Sequence, residues 1–130
     1  MASSRTRSTR SKRARRGAPS AALGAEDYCY ITTTGRRTGR AHTIEIWFAL
    51  HADTIYQLTS ESADWVRNIV ANPRVGVRIG RHRFSGTGRV SLSSGESRRA
   101  RDLVYDKYRE WETGLDEWAE TAFPVAIDLT

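Results

Sequence analysis

Large apolar residues are almost missing before Leu23 and recur in regular patterns from Tyr28 onward. Tyr28 to Thr33 is β-branched and aromatic and predicts a strand. Thr34 to Gly39, TGRRTG, turns the chain. From His42 the spacing has a period of two. Ile44, Ile46, Phe48 and Leu50 fall on one face, and Thr43, Glu45, Trp47 and Ala49 on the other, so a second strand is expected. Ala52-Asp53 predicts a turn, and TIYQLTS from Thr54 a third strand. The three strands read as a meander with short loops.

The period then changes. In SESADWVRNIVANP, Ser62 is a candidate cap, Asp64 stands in the first turn as the helix dipole prefers, and Trp65 and Ile69 share a face with Val66 and Val70 beside them. Asn72-Pro73 ends the helix. A second hairpin follows, with Val75, Val77 and Ile79 alternating, a turn at Gly80-Arg81, and Phe84, Gly86, Gly88 and Val90 returning. Glycine at alternate positions predicts a curved strand or a close backbone approach. Ser93 and Glu96 have the spacing of a capping box. The helix they open is expected to run to about Trp111, with Ala100, Leu103, Val104 and Tyr108 on one side. LDEWAE predicts a short helix. FPVAIDL predicts a last strand, which Pro124 assigns to a sheet edge or to its own beginning. The fold class expected is mainly β (α+β), a small barrel of about six antiparallel strands with two or three helices.

Charge changes the picture at one end only. Of 21 basic residues, seven lie in residues 1–24, which contain no acid. The remainder holds 14 basic and 15 acidic groups, a net of −1. Residues 1–24 are therefore expected to be a disordered basic tail, able to touch nucleic acid without specificity, and residues 25–130 to be the domain. No apolar run reaches membrane-span length and the N-terminus lacks a secretory apolar core, so a cytoplasmic protein is expected. The single cysteine, Cys29, lies in a strand and reads as a buried, inert thiol.

Candidate chemistry is sparse. His42, His51 and His82 lack metal-ligand spacing, and no metal is expected. GRRTGR is not a Walker loop, because a strand follows it rather than Lys-Ser/Thr and a helix. Asp116 and Glu117 read as solvated. No residue stands out as a catalytic base, which fits either an enzyme whose cofactor carries the chemistry or a protein that only binds. Arg36, Arg37 and Arg40 crowd one turn, and the helix opening near Ser62 offers free N–H groups. Together these suit an anion such as phosphate, and separately they suit a solvated turn.

The run TTGRRTGR with HTIEIWF, followed by DWVRNIVANPRVGVRIG and RFSGTGRV, resembles the deazaflavin (F420)-dependent nitroreductase and quinone reductase family. The likeness extends over about Tyr30 to Leu129 and leaves out the tail. It implies a split β-barrel of the flavin-binding superfamily and the reduced coenzyme F420, a deazaflavin with a phosphate and oligoglutamate tail. The implied activity is hydride transfer to a quinone, nitroaromatic or activated enone, with a homodimer among the assemblies. The family's loop, Thr-Thr-Gly-Arg-Lys-Ser-Gly-Lys-x-Arg, aligns with Thr33 to His42. By resemblance Arg36, Arg37, Thr38, Gly39, Arg40 and His42 contact the coenzyme tail, His42 replacing an arginine. Thr59, Ser60 and Ser62 would hold the phosphate or ring edge. Trp65 and Asn68 match the family's Trp-x-x-Asn, with Trp65 walling the ring or serving as core. Tyr105 and Tyr108 are candidates for the acceptor side, against a packing role. FMN is the alternative cofactor. A non-enzymatic module that binds an anionic ligand, with a nucleic-acid-binding tail, is the alternative function.

Overall fold

The computed structural model describes residues 21–130. The basic tail expected over residues 1–24 thus lies outside the described residues up to residue 20. Ala21–Gly24 form a helical turn, α1, whose Leu23 packs against the core. Then come β1 (Cys29–Thr34), β2 (Ala41–Ile46), β3 (Ala49–His51), β4 (Thr54–Thr59), α2 (Asp64–Ala71), β5 (Arg74–Ile79), β6 (His82–Arg89), α3 (Ser94–Tyr108), α4 (Leu115–Thr121) and β7 (Phe123–Leu129).

All strand pairs are antiparallel, in the order β2-β1-β5-β6-β7-β4-β3. β2 and β3 stand at opposite edges of this order, yet only Trp47 and Phe48 separate them in sequence. Three residue steps span at most about 10 Å, so the sheet curls until its edges nearly meet. This is the split barrel, and it replaces the expected meander with two hairpins that share one bent strand.

The bend has a side-chain cause. At Phe48 the backbone bonds to the end of α3 instead of to a strand. Its N–H donates to the Tyr108 hydroxyl at 3.1 Å, and its carbonyl accepts from Lys107 Nζ at 2.9 Å. Trp47 stacks on the Tyr108 ring at 4.2 Å. Face alternation nevertheless runs through the break as the sequence predicts. Ile44, Ile46, Phe48 and Leu50 face the barrel interior, while Trp47 and Ala49 face the α3–α4 layer.

Two cores result. The interior core holds Ile31, Ile55, Val77, Ile79, Val125 and Ile127, closed at one end by Trp65, Val66 and Ile69 of α2. The outer core packs Tyr56, Leu58 and Ala126 beneath Ala100, Val104, Tyr108 and Ala119. Each fully buried aliphatic side chain contributes about 1.5–3 kcal/mol. Gly88 lets α2 approach, since a Cβ there would lie 2.7 Å from Ile69 Cγ2. Cys29 is fully buried, and burial pushes its thiol up to about 12, so it stays protonated at neutral pH.

Several boundaries differ from expectation. α2 is capped by Ala63 with no side-chain hydrogen bond, because the Ser62 hydroxyl is within 3.0 Å of the Ser60 hydroxyl instead. Ser93 does cap α3, accepting from Glu96 N–H at 3.1 Å. The Glu96 carboxylate turns away to Arg89 and Tyr56, so the capping box is half formed. α3 ends at Tyr108, three residues short of Trp111. Pro124 is the second residue of β7, an interior strand, where only β4 lies alongside, because β6 pairs with Ala126–Leu129 alone.

Candidate functional site

The β1–β2 turn is built by its own backbone. Gly35 N–H donates to Arg40 O at 2.7 Å, and Gly39 N–H to Gly35 O at 2.8 Å. Gly39 has φ +76°, in the region where a side chain is strained. Thr38 Oγ1 accepts from Arg40 N–H at 3.2 Å. The turn is then fastened to α2 through one buried amide. Asn68, 4 % exposed, accepts from Arg36 N–H at 3.1 Å and from Arg36 Nη1 at 2.9 Å, and donates to Thr33 Oγ1 at 3.1 Å. Arg36 Nη2 also reaches Asp64 Oδ1 at 3.2 Å.

A cleft of about 440 Å³ opens between turn and helix, and Arg36, Arg37, Thr38, His42, Trp65 and Asn68 are among the residues lining it. Six of the sequence-derived candidates therefore meet in one place. Gly39 and Arg40 stand on the turn beside it. The Arg37 and Arg40 guanidinium groups have no hydrogen bond or ion pair among the described residues, whereas Arg36 is fully engaged with α2. The three arginines are thus not equivalent. Arg36 shapes the turn, and Arg37 and Arg40 remain free cations. The N-terminus of α2 has no side-chain cap, and the N–H groups of Asp64 and Trp65, which line the same cleft, have no partner among the described residues. Trp65, 7 % exposed, belongs to the interior core and also faces the cleft.

Two further clefts continue from this one. Arg36 also lines a cleft of about 410 Å³ with Glu61, Val66, Arg67 and Phe123. Glu61 and Phe123 in turn line a cleft of about 590 Å³, with Thr59, Ser60, Arg101 and Trp118. Thr59 and Ser60 therefore sit away from the basic turn, and Ser62 lines none of the three. Among the described residues no His, Cys, Asp and Glu side chains gather as a metal site.

The acceptor-side candidates fall elsewhere. Tyr108 is 1 % exposed, its hydroxyl donating to Asp27 O at 2.6 Å and accepting from Phe48 N–H. Burial holds that hydroxyl well above the usual phenol range. It is a core residue, because the bent strand needs its hydrogen bonds. Tyr105 lies between α3 and α4 beside Arg98 and Asp102, on the outer layer. Glu45 points outward, accepting from the Tyr30 hydroxyl at 2.5 Å.

Sequence reading passed over Arg101, Trp118 and Gln57. Nothing in the RRAR run separates Arg101 from its neighbours before α4 is in place. Gln57 did carry a signal. Parity sets it on the inward face between Ile55 and Thr59, and it is fully buried with no partner on either amide atom among the described residues.

The family model described as F420H(2)-dependent quinone reductase matches residues 4–130. Among solved structures, one described as an F420-H2 dependent reductase is 21% identical, covers 80% of this chain and 94% of its own, and superposes with a TM-score of 0.65. A putative 5-nitroimidazole antibiotic resistance protein from Bacteroides thetaiotaomicron is 14% identical, with 80% and 73% coverage and a TM-score of 0.63. A third, described as a domain-swapped dimer, is 21% identical, with 80% coverage of both chains and a TM-score of 0.64. No curated protein matches the chain. At these identities the neighbours establish the fold. Among the described residues no helix is long and apolar enough to cross a membrane.

Proposed function

We propose, from the premise that this chain belongs to the F420H(2)-dependent quinone reductase family, that it is a cytoplasmic oxidoreductase using coenzyme F420 against a quinone, nitroaromatic or activated enone. The observation that carries the reading is a guanidinium without a protein partner among the described residues, Arg37, in a cleft with an uncapped helix N-terminus, and a second, Arg40, on the turn beside that cleft. The residues fit the coenzyme's chemistry. A phosphate and several carboxylates need cations without acidic partners and N–H donors without acceptors, and this cleft supplies both. Asp64 is the one acid in the lining, and Arg36 offsets it.

When bound, the reduced deazaflavin supplies the hydride. The chain's own part is placement. Arg37 and Arg40 hold the anionic tail. Arg36 and Asn68 fix the turn that presents them. Thr38 and His42 offer further polar groups along the lining, and Trp65 adds apolar surface to the same cleft. The 410 Å³ cleft, with Arg67 at its rim and Val66 and Phe123 in its lining, offers the ring a drier position than the turn does. No general base is required, because the acceptor's proton can come from solvent.

Titration of the full chain with oxidised coenzyme, followed by mixing the reduced form with menadione, tests the reading. Affinity should rise with the number of tail glutamates and fall with salt. FMN, with its single phosphate, should bind more weakly. Tight FMN binding without deazaflavin binding would overturn the cofactor assignment. DNA binding that depends on residues 1–20, with no coenzyme turnover, would favour the non-enzymatic alternative. Light scattering tests self-association, which the domain-swapped neighbour suggests for this chain.

A further inference from the structure

The 590 Å³ cleft is walled by α4 on one side and by the ends of β4 and β7 on the other. Its cation is Arg101. Arg101 Nη1 donates to Ala119 O at 2.7 Å and to Ala122 O at 2.8 Å, at the end of α4. One nitrogen serving two carbonyls fixes the guanidinium plane. Nε and Nη2 have no partner among the described residues, and no carboxylate lies within ion-pair distance. By contrast Arg89 and Arg98 each meet two carboxylates. A half-buried, oriented arginine that forms no ion pair among the described residues, Glu120 bearing on it only from a distance, keeps donors for a group outside the chain. Beside it Trp118, half-buried and packed edge-on against Trp47 at 5.8 Å, gives a flat apolar wall. Thr59 and Ser60 bring hydroxyls. The volume suits a two-ring molecule.

We propose that this cleft binds the hydride acceptor, a conjugated cyclic ketone, with Arg101 holding the carbonyl oxygen and Trp118 lying against the ring. The inference rests on the reductase reading above and adds to it the residue that selects the acceptor. This cleft adjoins the one that reaches Arg36, since Glu61 and Phe123 line both. The chemistry gives Arg101 its task. Hydride adds at the β-carbon of the conjugated system and forms a C–H bond. The alkene pair shifts, the carbonyl pair moves to oxygen, and the deazaflavin is oxidised by two electrons. The oxygen bears the new negative charge until a proton arrives from water. A fixed guanidinium at that oxygen stabilises the charge as it develops. It also favours acceptors that already carry an anionic oxygen. Glu61 is the acid on this lining, exposed on the loop, and Glu120 nearby is taken up by Arg98.

The test separates this inference from the parent reading by using binding without coenzyme. A hydroxynaphthoquinone, ionised at neutral pH, and menadione, which is uncharged, are titrated into the full chain and followed by tryptophan fluorescence. The native chain should prefer the anion. Arg101→Gln should weaken the anion about tenfold, as expected for one charge-assisted hydrogen bond, and menadione much less, because the glutamine amide can still donate to a neutral carbonyl. Arg101→Lys should keep most of the preference, and Arg81→Gln, on the distant β5–β6 turn, all of it. Trp118→Phe should remove most of the fluorescence response. Equal affinities for the two quinones in the native chain, or a preference that survives Arg101→Gln, would overturn the proposal, whether or not the coenzyme binds. A loss of both affinities together with a lower melting temperature in Arg101→Gln, rescued by Arg101→Lys, would assign Arg101 to holding α4 and would also overturn it. Coenzyme affinity, measured separately, should not respond to Arg101→Gln.

Discussion

Two arginine-rich regions of this chain have opposite electrostatics. Under α3, Arg89 grips Glu96 through Nη1 and Nη2, both at 2.8 Å, and Asp128 through Nε at 2.7 Å and Nη2 at 3.1 Å. Tyr56 and Thr54 complete the carboxylates' hydrogen bonds. Arg98 likewise ties α3 to α4 through Glu120 and pairs with Asp102 one turn along α3. On the β1–β2 turn, Arg37 and Arg40 meet no acid among the described residues. The side chain is the same in both regions, so what separates scaffold from site is whether the fold has supplied a carboxylate. A neutralised guanidinium joins elements. An unneutralised one, held by the turn's backbone, is kept for a ligand.

The largest effect should come from breaking the neutralised region. Arg89→Ala removes two ion pairs and leaves Glu96 and Asp128 close together without their cation. Breaking a fully buried pair costs about 3–5 kcal/mol. Arg89 keeps 39% of its side chain exposed, so solvent screening brings the expected loss for the whole network down to about 3 kcal/mol. Thermal unfolding should show a fall on the order of 10 °C or more, and a change of less than about 2 °C would show the network to be ornamental.

Acid sharpens the same contrast. Arg89 holds the Glu96 carboxyl down to about 2 against an ordinary 4.5, with the Tyr56 hydroxyl as the second cause. Asp128 is lowered as well, again chiefly by Arg89. Carboxyls with depressed folded values contribute stability that is complete above the ordinary value and is lost as pH falls toward the folded one. The melting temperature of the native chain should therefore drop between about pH 4.5 and 2, more steeply than that of Arg89→Ala, which has already lost the effect. Parallel curves for the two proteins would contradict the assignment.

The next effect lies on the turn and should leave stability alone. Arg37→Ala with Arg40→Ala removes two cations without protein partners, so the melting temperature should move by less than about 0.5 kcal/mol equivalent. Coenzyme affinity should fall by one to two decades, about 1.4–2.8 kcal/mol, with a shallower salt dependence. In turnover KM for coenzyme should rise and kcat stay. A fall in kcat at constant KM would move these groups from the tail to the reacting ring.

The contrast also explains what the sequence could and could not tell. Alternation from Ile44 to Leu50 gave the correct inward face through a strand break, because parity survives a bend. The break itself was hidden, since it is made by Lys107 and Tyr108 some sixty residues later in the chain. The arginines of the turn were visible as a cluster, but their division was not. Nothing local says that Asn68 and Asp64 will claim Arg36 while Arg37 and Arg40 go free. Sequence alone leaves Tyr108 between the acceptor side and a packing role. Its hydroxyl is taken up by the backbone of Asp27 and Phe48. Long-range partners decided each of these cases.

Arg36 lies on the border between the two regions and tests the rule most finely. It touches the proposed coenzyme cleft and is also bonded to Asn68 and Asp64. If neutralisation is what assigns an arginine to the scaffold, Arg36 acts on the coenzyme only through the shape of the turn. Arg36→Ala should then cost about 1–2 kcal/mol of stability, because the guanidinium's bonds to Asn68 Oδ1 and to the exposed Asp64 are both lost. It should lower coenzyme affinity by only a few-fold. Arg36→Lys distinguishes the roles, because it keeps the charge but loses the fork that spans Asn68 Oδ1 and Asp64 Oδ1. The expected result is that lysine resembles alanine in both melting temperature and affinity. Recovery of affinity by lysine, with the stability loss remaining, would show that Arg36 touches the coenzyme through its charge, and that an arginine with protein partners can still serve the ligand.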